Sequence, residues 1–257
     1  GTLEERDPTP GNYVVTSIDS RLQAVVEQQL LAAIRRAQEQ DYAGKSGAAV
    51  VVEVDTGRIL AMASYPTYDP SIWIGGVTKK QFKQLIDDES LSSNAYQGQF
   101  APGSTFKAIS TAAAGNDNFD LYGIYPCPSR MKIGTQVFRN YESNAYGPIS
   151  LTRALEVSCN TVFYEIARRM WQEAGGPDAE VTAPDPVAES ARTFGLGSRT
   201  GLDLPGEASG RVASREFKYD NWEAKKDTWC RNAEEGYPET RKTDPKLADY
   251  FTALDRE

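Results

Sequence analysis

The sequence predicts a mixed α/β fold with an antiparallel sheet, and three stretches carry that prediction. Residues 48–54 and 59–64 are two apolar, largely β-branched or small runs joined by a turn, which predicts a β-hairpin. Residues 20–37 have apolar side chains at helical spacing, which predicts a helix with one buried face. A further helix is predicted after Ser104, where alanine and other helix-favouring residues follow a Pro-Gly break.

The remaining elements before Ser104 follow from local patterns. Residues 14–18 are predicted as a short strand. Ser20 is predicted to cap the first helix, with Gln23 completing a capping box. The hairpin strand has little polarity on either face at residues 50–52, which predicts a sheet covered on both sides.

Downstream of the Ser104 helix, the pattern alternates loops and helices. Residues 140–142 and 146–150 are predicted as loop, and Ser150 is predicted to cap a helix that starts at Leu151. A second helix is predicted after residue 160, and Asp185-Pro186 opens a short third one that Gly195 can close.

Composition excludes several function classes. The chain has 257 residues with a net charge of -8, which argues against nucleic acid and anionic lipid surfaces as partners. It contains no histidine, which removes the Ser-His-Asp triad, the Cys-His dyad and every His-ligated metal site. Cys127, Cys159 and Cys230 show no C-x-x-C spacing, so no zinc site is expected, and their pairing is left open.

Ser104 and Lys107 form the leading candidate for chemistry. The predicted helix places Lys107 one turn after Ser104 on the same face. A serine hydroxyl is a weak nucleophile until a base takes its proton, and a partly desolvated lysine can be that base. The helix N-terminus adds backbone N–H groups that stabilise developing negative charge.

A second S-x-x-K match, at residues 129–132, is interpreted as accidental. It leads into a segment predicted to be strand or loop, and in an extended chain positions three apart point to opposite faces.

Ser158 and Asn160 form the second candidate motif, S-x-N. They lie between two predicted helices after the nucleophile, whereas the competing match at residues 92–94 lies before it in a polar loop. The alternative is that Ser158 and Asn160 only cap the following helix, and the two interpretations are compatible.

The heptapeptide A-P-G-S-T-F-K at residues 101–107 resembles the active-site helix of class B penicillin-binding proteins, the monofunctional D,D-transpeptidases of peptidoglycan synthesis. The S-x-N motif and G-L-D-L-P-G-E at residues 201–207 extend the likeness, which is greatest to elongation-type, PBP2-like actinobacterial members. The resemblance implies the penicillin-binding transpeptidase and serine β-lactamase-like fold, an α+β arrangement with a central antiparallel sheet flanked by helices.

The resemblance also implies roles and partners. Ser104 would attack the D-Ala-D-Ala end of a stem peptide, with Lys107 as base, Ser158 as proton relay and Asn160 positioning the substrate carbonyl and the lysine. β-Lactams would acylate the same serine, and no metal or cofactor is implied. The parent protein would act at the extracytoplasmic face of the bacterial membrane, anchored by a segment outside this sequence, beside a membrane glycosyltransferase of the SEDS type.

The predicted organisation is a leading linker at residues 1–13, a transpeptidase domain at 14–216 and a charged surface excursion of that domain at 217–257. No K-T-G or K-S-G triplet follows Ser158, so the domain is expected to be truncated before its last strands, with the missing C-terminal part as a partner. The alternatives are a β-lactam sensor, a catalytically silent cell-wall scaffold and, less favoured, a serine β-lactamase.

Overall fold

The structure is a computed structural model that describes residues 10–254, in two compact units. Within the described residues, the first unit comprises residues 10–100 and Leu202–Ala208, and the second comprises Ala101–Gly201 and residues 209–254. The predicted boundaries at residues 13 and 216 stay predictions.

The described residues form nine α-helices and six strands. The α-helices are α1 (Ser20–Glu39), α2 (Lys79–Asp87), α3 (Lys107–Asn116), α4 (Leu151–Glu156), α5 (Asn160–Glu173), α6 (Pro186–Thr193), α7 (Arg215–Glu235), α8 (Pro238–Thr243) and α9 (Pro245–Leu254). The strands are β1 (Gly47–Val52), β2 (Ile59–Tyr65), β3 (Ile124–Cys127), β4 (Arg130–Ile133), β5 (Gln136–Arg139) and β6 (Gly147–Ser150). Short 3-10 helices occupy Pro70–Trp73, Gly103–Phe106, Tyr141–Ser143 and Gly176–Asp178.

The first unit contains the predicted hairpin and helix, and both are confirmed. β1 pairs with β2 in antiparallel register, and α1 packs against both strands. Small residues allow this packing, because Ala61 and Ala63 are buried and a Cβ at Gly47 would lie 3.2 Å from the Leu30 side chain. The helix therefore approaches the sheet closely on the face that carries these small residues.

Three local predictions in this unit are wrong. Residues 14–18 form no strand, since Ser17 and Asp19 make only one hydrogen bond each to β2 carbonyls. The α1 cap is Asp19 and not Ser20, because the Asp19 carboxylate accepts from the first helical N–H groups. Gln23 makes no capping box and instead exchanges two hydrogen bonds with the backbone of Met62.

The expectation of a sheet covered on both faces does not hold for the described residues. Along β1 every second residue is half-buried against α1, whereas Val50 and Val52 on the other face are 42% and 49% exposed. One face of the hairpin thus meets α1, and the other face is open within residues 10–254.

The second unit holds two further antiparallel pairs, β3 with β6 and β4 with β5. The prediction of loop at residues 146–150 is wrong in part, because Gly147–Ser150 pairs with β3. A buried cluster joins β3 and β6 to α3, α4 and α5, and the disulfide between Cys127 and Cys159 lies within it. Cys230 is a free, exposed thiol.

The predicted charged excursion is helical in its described part. Ser214 caps α7 through its side chain, and α9 packs against both α7 and α8. Trp222 and Trp229 lie on α7 with ring centroids 5.8 Å apart. Among the described residues, no helix combines the length and the apolar composition that a membrane crossing requires.

Candidate active site

Ser104 lies in the 3-10 helix Gly103–Phe106, which continues directly into α3 at Lys107. Gly103 has a φ of +57°, a left-handed conformation that glycine adopts without strain at the entry to this turn. Positions three apart in a 3-10 helix eclipse one another, so the Lys107 side chain returns over Ser104. The Lys107 Nζ and Ser104 Oγ atoms are 3.2 Å apart. The prediction of Ser104 near a helix N-terminus is confirmed.

Ser158 and Asn160 approach this pair from the turn between α4 and α5, as the sequence predicts. Ser158 has a φ of +54°, which is uncommon for a residue with a Cβ. Its hydroxyl donates to Ser104 Oγ at 2.7 Å. The capping alternative finds no support, because the N-cap of α5 is Cys159 and its side chain makes no cap hydrogen bond.

The Lys107 ammonium is enclosed by oxygen atoms, and the residue is only 8% exposed. Nζ lies 2.6 Å from Asn160 Oδ1, 2.8 Å from the Ser158 carbonyl and 2.9 Å from Ser158 Oγ, in addition to Ser104 Oγ. Each of these four neighbours is an uncharged group. The ring of Phe163 closes one side, with its centroid 5.6 Å from Nζ.

This geometry orients the lysine for proton transfer. The Ser158 carbonyl and Asn160 Oδ1 can only accept hydrogen bonds, so each takes one N–H of the lysine whatever its protonation state. A neutral amine has two N–H groups and one lone pair, and the lone pair is then left for the hydroxyls of Ser104 and Ser158. The two carbonyl-type oxygens therefore turn the basic side of Lys107 toward the candidate nucleophile.

Burial lowers the pKa of Lys107 from its ordinary value of 10.5. Removing an ammonium from water disfavours the charged form, and the neutral oxygens around it supply no opposing carboxylate charge. The site consequently contains a larger fraction of free amine near neutral pH than an exposed lysine would.

The decoy motifs lie elsewhere. Ser129 directly precedes strand β4 and Lys132 lies within it, which confirms that this S-x-x-K match is extended. In the 92–94 match, Asn94 is used structurally, because its side chain donates to the Tyr65 carbonyl at 2.9 Å. The triplet nearest to K-T-G after Ser158, Lys-Thr-Asp at residues 242–244, lies at the C-terminal end of helix α8 and not on a strand.

The structure adds residues that the sequence gave no reason to choose. Asn160 Nδ2 donates to the carbonyl of Arg139 at 3.1 Å, and buried Asn140 bonds to the start of α5. The disulfide joins the middle residue of S-x-N, Cys159, to Cys127 at the end of β3. The sequence showed a cysteine, Cys159, inside the S-x-N motif, but it did not show that Cys159 pairs with Cys127.

A serine under the amine of a buried lysine, with a second hydroxyl bridging both, is the arrangement expected of a serine acyl-transfer site of the Ser–Lys class. Within residues 10–254, no group of acidic or cysteine side chains is arranged to hold a metal ion.

Comparison with known proteins agrees with that class. Residues 47–228 match the model of the penicillin-binding protein transpeptidase domain. The peptidoglycan D,D-transpeptidase MrdA of Acinetobacter baumannii is 31% identical over 227 residues, covering 84% of this chain and 29% of that protein. The crystal structure of Pseudomonas aeruginosa PBP2 has a TM-score of 0.65 and 30% identity, covering 83% of this chain and 44% of that one. A chain from a peptidoglycan synthase complex that coordinates polymerization and crosslinking has a TM-score of 0.67 and 32% identity, with 84% and 37% covered.

This chain belongs to the penicillin-binding protein transpeptidase family, in its class B, MrdA or PBP2-like branch. The predicted fold class is thereby confirmed. The chain spans 29% of the length of the Acinetobacter relative and 31% of the Escherichia coli one.

Proposed function

We propose that the protein containing this chain is a peptidoglycan D,D-transpeptidase that works through a serine acyl-enzyme. The observation that carries the proposal is the triangle of Ser104 Oγ, Lys107 Nζ and Ser158 Oγ, whose edges measure 2.7, 2.9 and 3.2 Å. These distances permit proton transfer between any two of the three groups.

In the proposed reaction, Ser104 Oγ attacks the carbonyl carbon of the penultimate D-alanine of a stem peptide. Lys107 takes the hydroxyl proton, and the developing oxyanion is stabilised by backbone N–H groups at the start of the helix. The C–N bond breaks, the proton passes through Ser158 to the departing nitrogen, and D-alanine leaves. An amine of a neighbouring stem then attacks the ester, forms the cross-link and restores the Ser104 hydroxyl.

Asn160 has a positioning role in this scheme. Its oxygen holds Lys107, and its nitrogen bonds to the Arg139 carbonyl, which fixes the orientation of the amide. A substrate carbonyl that approaches Ser104 can reach the same nitrogen, since a primary amide has two N–H donors.

Labelling with a fluorescent penicillin tests the proposal in the full-length protein that contains this chain. Ser104→Ala should abolish covalent labelling, whereas Ser129→Ala, at the decoy motif, should leave it unchanged. Labelling of Ser104→Ala at the parental level would reject the assignment. The persistence of the label separates two enzymes, because a β-lactamase releases it rapidly and a transpeptidase stays acylated.

We further propose an extracytoplasmic location and a role beside a membrane glycosyltransferase of the SEDS type. The Cys127–Cys159 disulfide supports the location, because disulfides persist in oxidising compartments. The similarity to a chain of a peptidoglycan synthase complex supports the partner. Co-purification of the full-length protein with such a glycosyltransferase tests the pairing, and failure to co-purify under conditions that preserve membrane complexes would count against it.

A further inference from the structure

Asn140 is a buried amide directly behind the second motif, at the end of β5, and it is only 5% exposed. Its Nδ2 donates to the carbonyls of Pro128 at 2.9 Å and Asn144 at 2.8 Å, and its Oδ1 accepts from the N–H of Thr161 at 3.0 Å. Both N–H groups and the oxygen are therefore used, as a buried amide requires.

The orientation of this amide is determined by its surroundings. Two carbonyl oxygens flank Nδ2, so a flipped amide would place its oxygen against both and lose two hydrogen bonds. Oδ1 consequently faces Thr161, the second residue of α5, whose N–H has no partner inside its own helix. Since the N-cap residue Cys159 makes no side-chain cap, Asn140 supplies that cap from a distant part of the chain.

Arg139, the residue before Asn140, binds Asn160, the last residue of the S-x-N motif. The Arg139 carbonyl accepts from Asn160 Nδ2 at 3.1 Å, while Asn140 bonds to Thr161. Two consecutive residues at the end of β5 thus hold two consecutive residues at the start of α5. This double attachment directs Asn160 Oδ1 toward Lys107 Nζ, 2.6 Å away.

We propose that Asn140 is a positioning residue for acylation, an inference that rests on the proposed transpeptidase function. Asn140 makes no hydrogen bond to Ser104 or Lys107, and it acts by holding the start of α5 at Thr161, next to Asn160, whose amide the Arg139 carbonyl binds. Loss of its three hydrogen bonds would free the start of α5, and Asn160 would no longer hold the lysine with its lone pair toward the nucleophile.

A double-mutant cycle in the full-length protein tests this role, with the rate constant of acylation by a fluorescent penicillin as readout. Asn140→Ala should lower that rate constant on the order of 10- to 100-fold, by analogy with the loss found when groups that orient metal ligands are removed. In an Asn160→Ala background the same substitution should cost less than about threefold, because the amide through which it acts is gone.

The matched control is Ile166→Val, a buried change on the same helix that destabilises the core at a position outside both motifs. If Ile166→Val lowers the acylation rate as much as Asn140→Ala does for the same loss of stability, the positioning role is overturned. An equal loss of rate from Asn140→Ala in the parent and in the Asn160→Ala background would overturn it as well. If Asn140→Ala yields no folded protein, Asn140→Asp replaces it and should also lower the rate constant, because an aspartate cannot donate to the carbonyls of Pro128 and Asn144 that orient this side chain.

Hydrogen–deuterium exchange over residues 158–162 separates the two proposals. If the parent protein does not react with penicillin while Asn140→Ala exchanges faster than the parent, the transpeptidase function is rejected. The positioning role in acylation is then rejected with it. A reactive parent whose acylation is unaffected by Asn140→Ala would reject only the positioning role.

Discussion

Replacing Lys107 by arginine keeps the positive charge of the site but removes its capacity to accept a proton. The guanidinium has five N–H donors and no acceptor, and it holds its proton at any working pH. In the structure, Lys107 Nζ needs a lone pair only toward Ser104 and Ser158, because the other two neighbours are permanent acceptors. Lys107→Arg therefore deletes the base function specifically.

The expected loss follows from the contribution of a general base, which is about 10²–10⁴-fold in rate. At about 1.4 kcal/mol for each factor of ten, this corresponds to roughly 3–5 kcal/mol of transition-state stabilisation. The parent should also show acylation that rises with pH through the Lys107 pKa, with a midpoint below 10.5 because burial lowers that pKa. In Lys107→Arg this rise should be absent.

The assay is stopped-flow or gel-based acylation by a fluorescent penicillin across pH, in the full-length protein. Lys132→Arg, at an exposed position of strand β4 in the second S-x-x-K match, is the matched control and should behave as the parent. Thermal unfolding of each variant confirms that the fold persists. An acylation rate of Lys107→Arg within threefold of the parent would mean that lysine acts only as a charge and that the base is another group.

Three further outcomes are expected. Ser158→Ala should lower the acylation rate by about 10²-fold or more, because it removes the hydroxyl that bridges nucleophile and lysine, and a parental rate would exclude the relay. Cys127→Ser should lower the free energy of unfolding by about 3–4 kcal/mol, since the disulfide closes a loop of 32 residues, and denaturant unfolding measures it. Glu165→Gln should cost about 0.5–1 kcal/mol at neutral pH. The Arg168 hydrogen bond lowers the Glu165 pKa, so this contribution is present above about pH 4.5 and is lost as the pH falls through the folded-state pKa; a pH-independent difference would refute it.

The first motif could be predicted from sequence because its geometry is local. Ser104 and Lys107 are three residues apart on one short helix, so the spacing alone brings the hydroxyl and the amine together. Ser158 and Asn160 could be identified as candidate site residues because the helices on both sides of them were predicted from periodic patterns. Their distance to Ser104 could not be predicted, since it depends on how separate helices pack.

Two of the wrong predictions share one physical cause, which is competition from partners far along the chain. Gln23 has the right spacing for a capping box, yet it bonds to Met62, 39 residues away, because the hairpin backbone offers both a donor and an acceptor. Gly147–Ser150 has the composition of a loop, yet it is a strand because β3 supplies its hydrogen bonds. Local propensity predicts neither outcome.

Asn140 shows why the precise part of the site is the least predictable part. The sequence separates Asn140 from Thr161 by 21 residues, and nothing in its immediate neighbours distinguishes it from an ordinary loop asparagine. A catalytic hydroxyl or amine is recognisable because chemistry restricts the choice of side chain. A positioning amide needs only a carbonyl in one direction and an N–H in the other, which many buried asparagines could satisfy. Variation in acylation rate among relatives with identical motifs should therefore follow substitutions in residues 139–144 more than substitutions in the exposed helices.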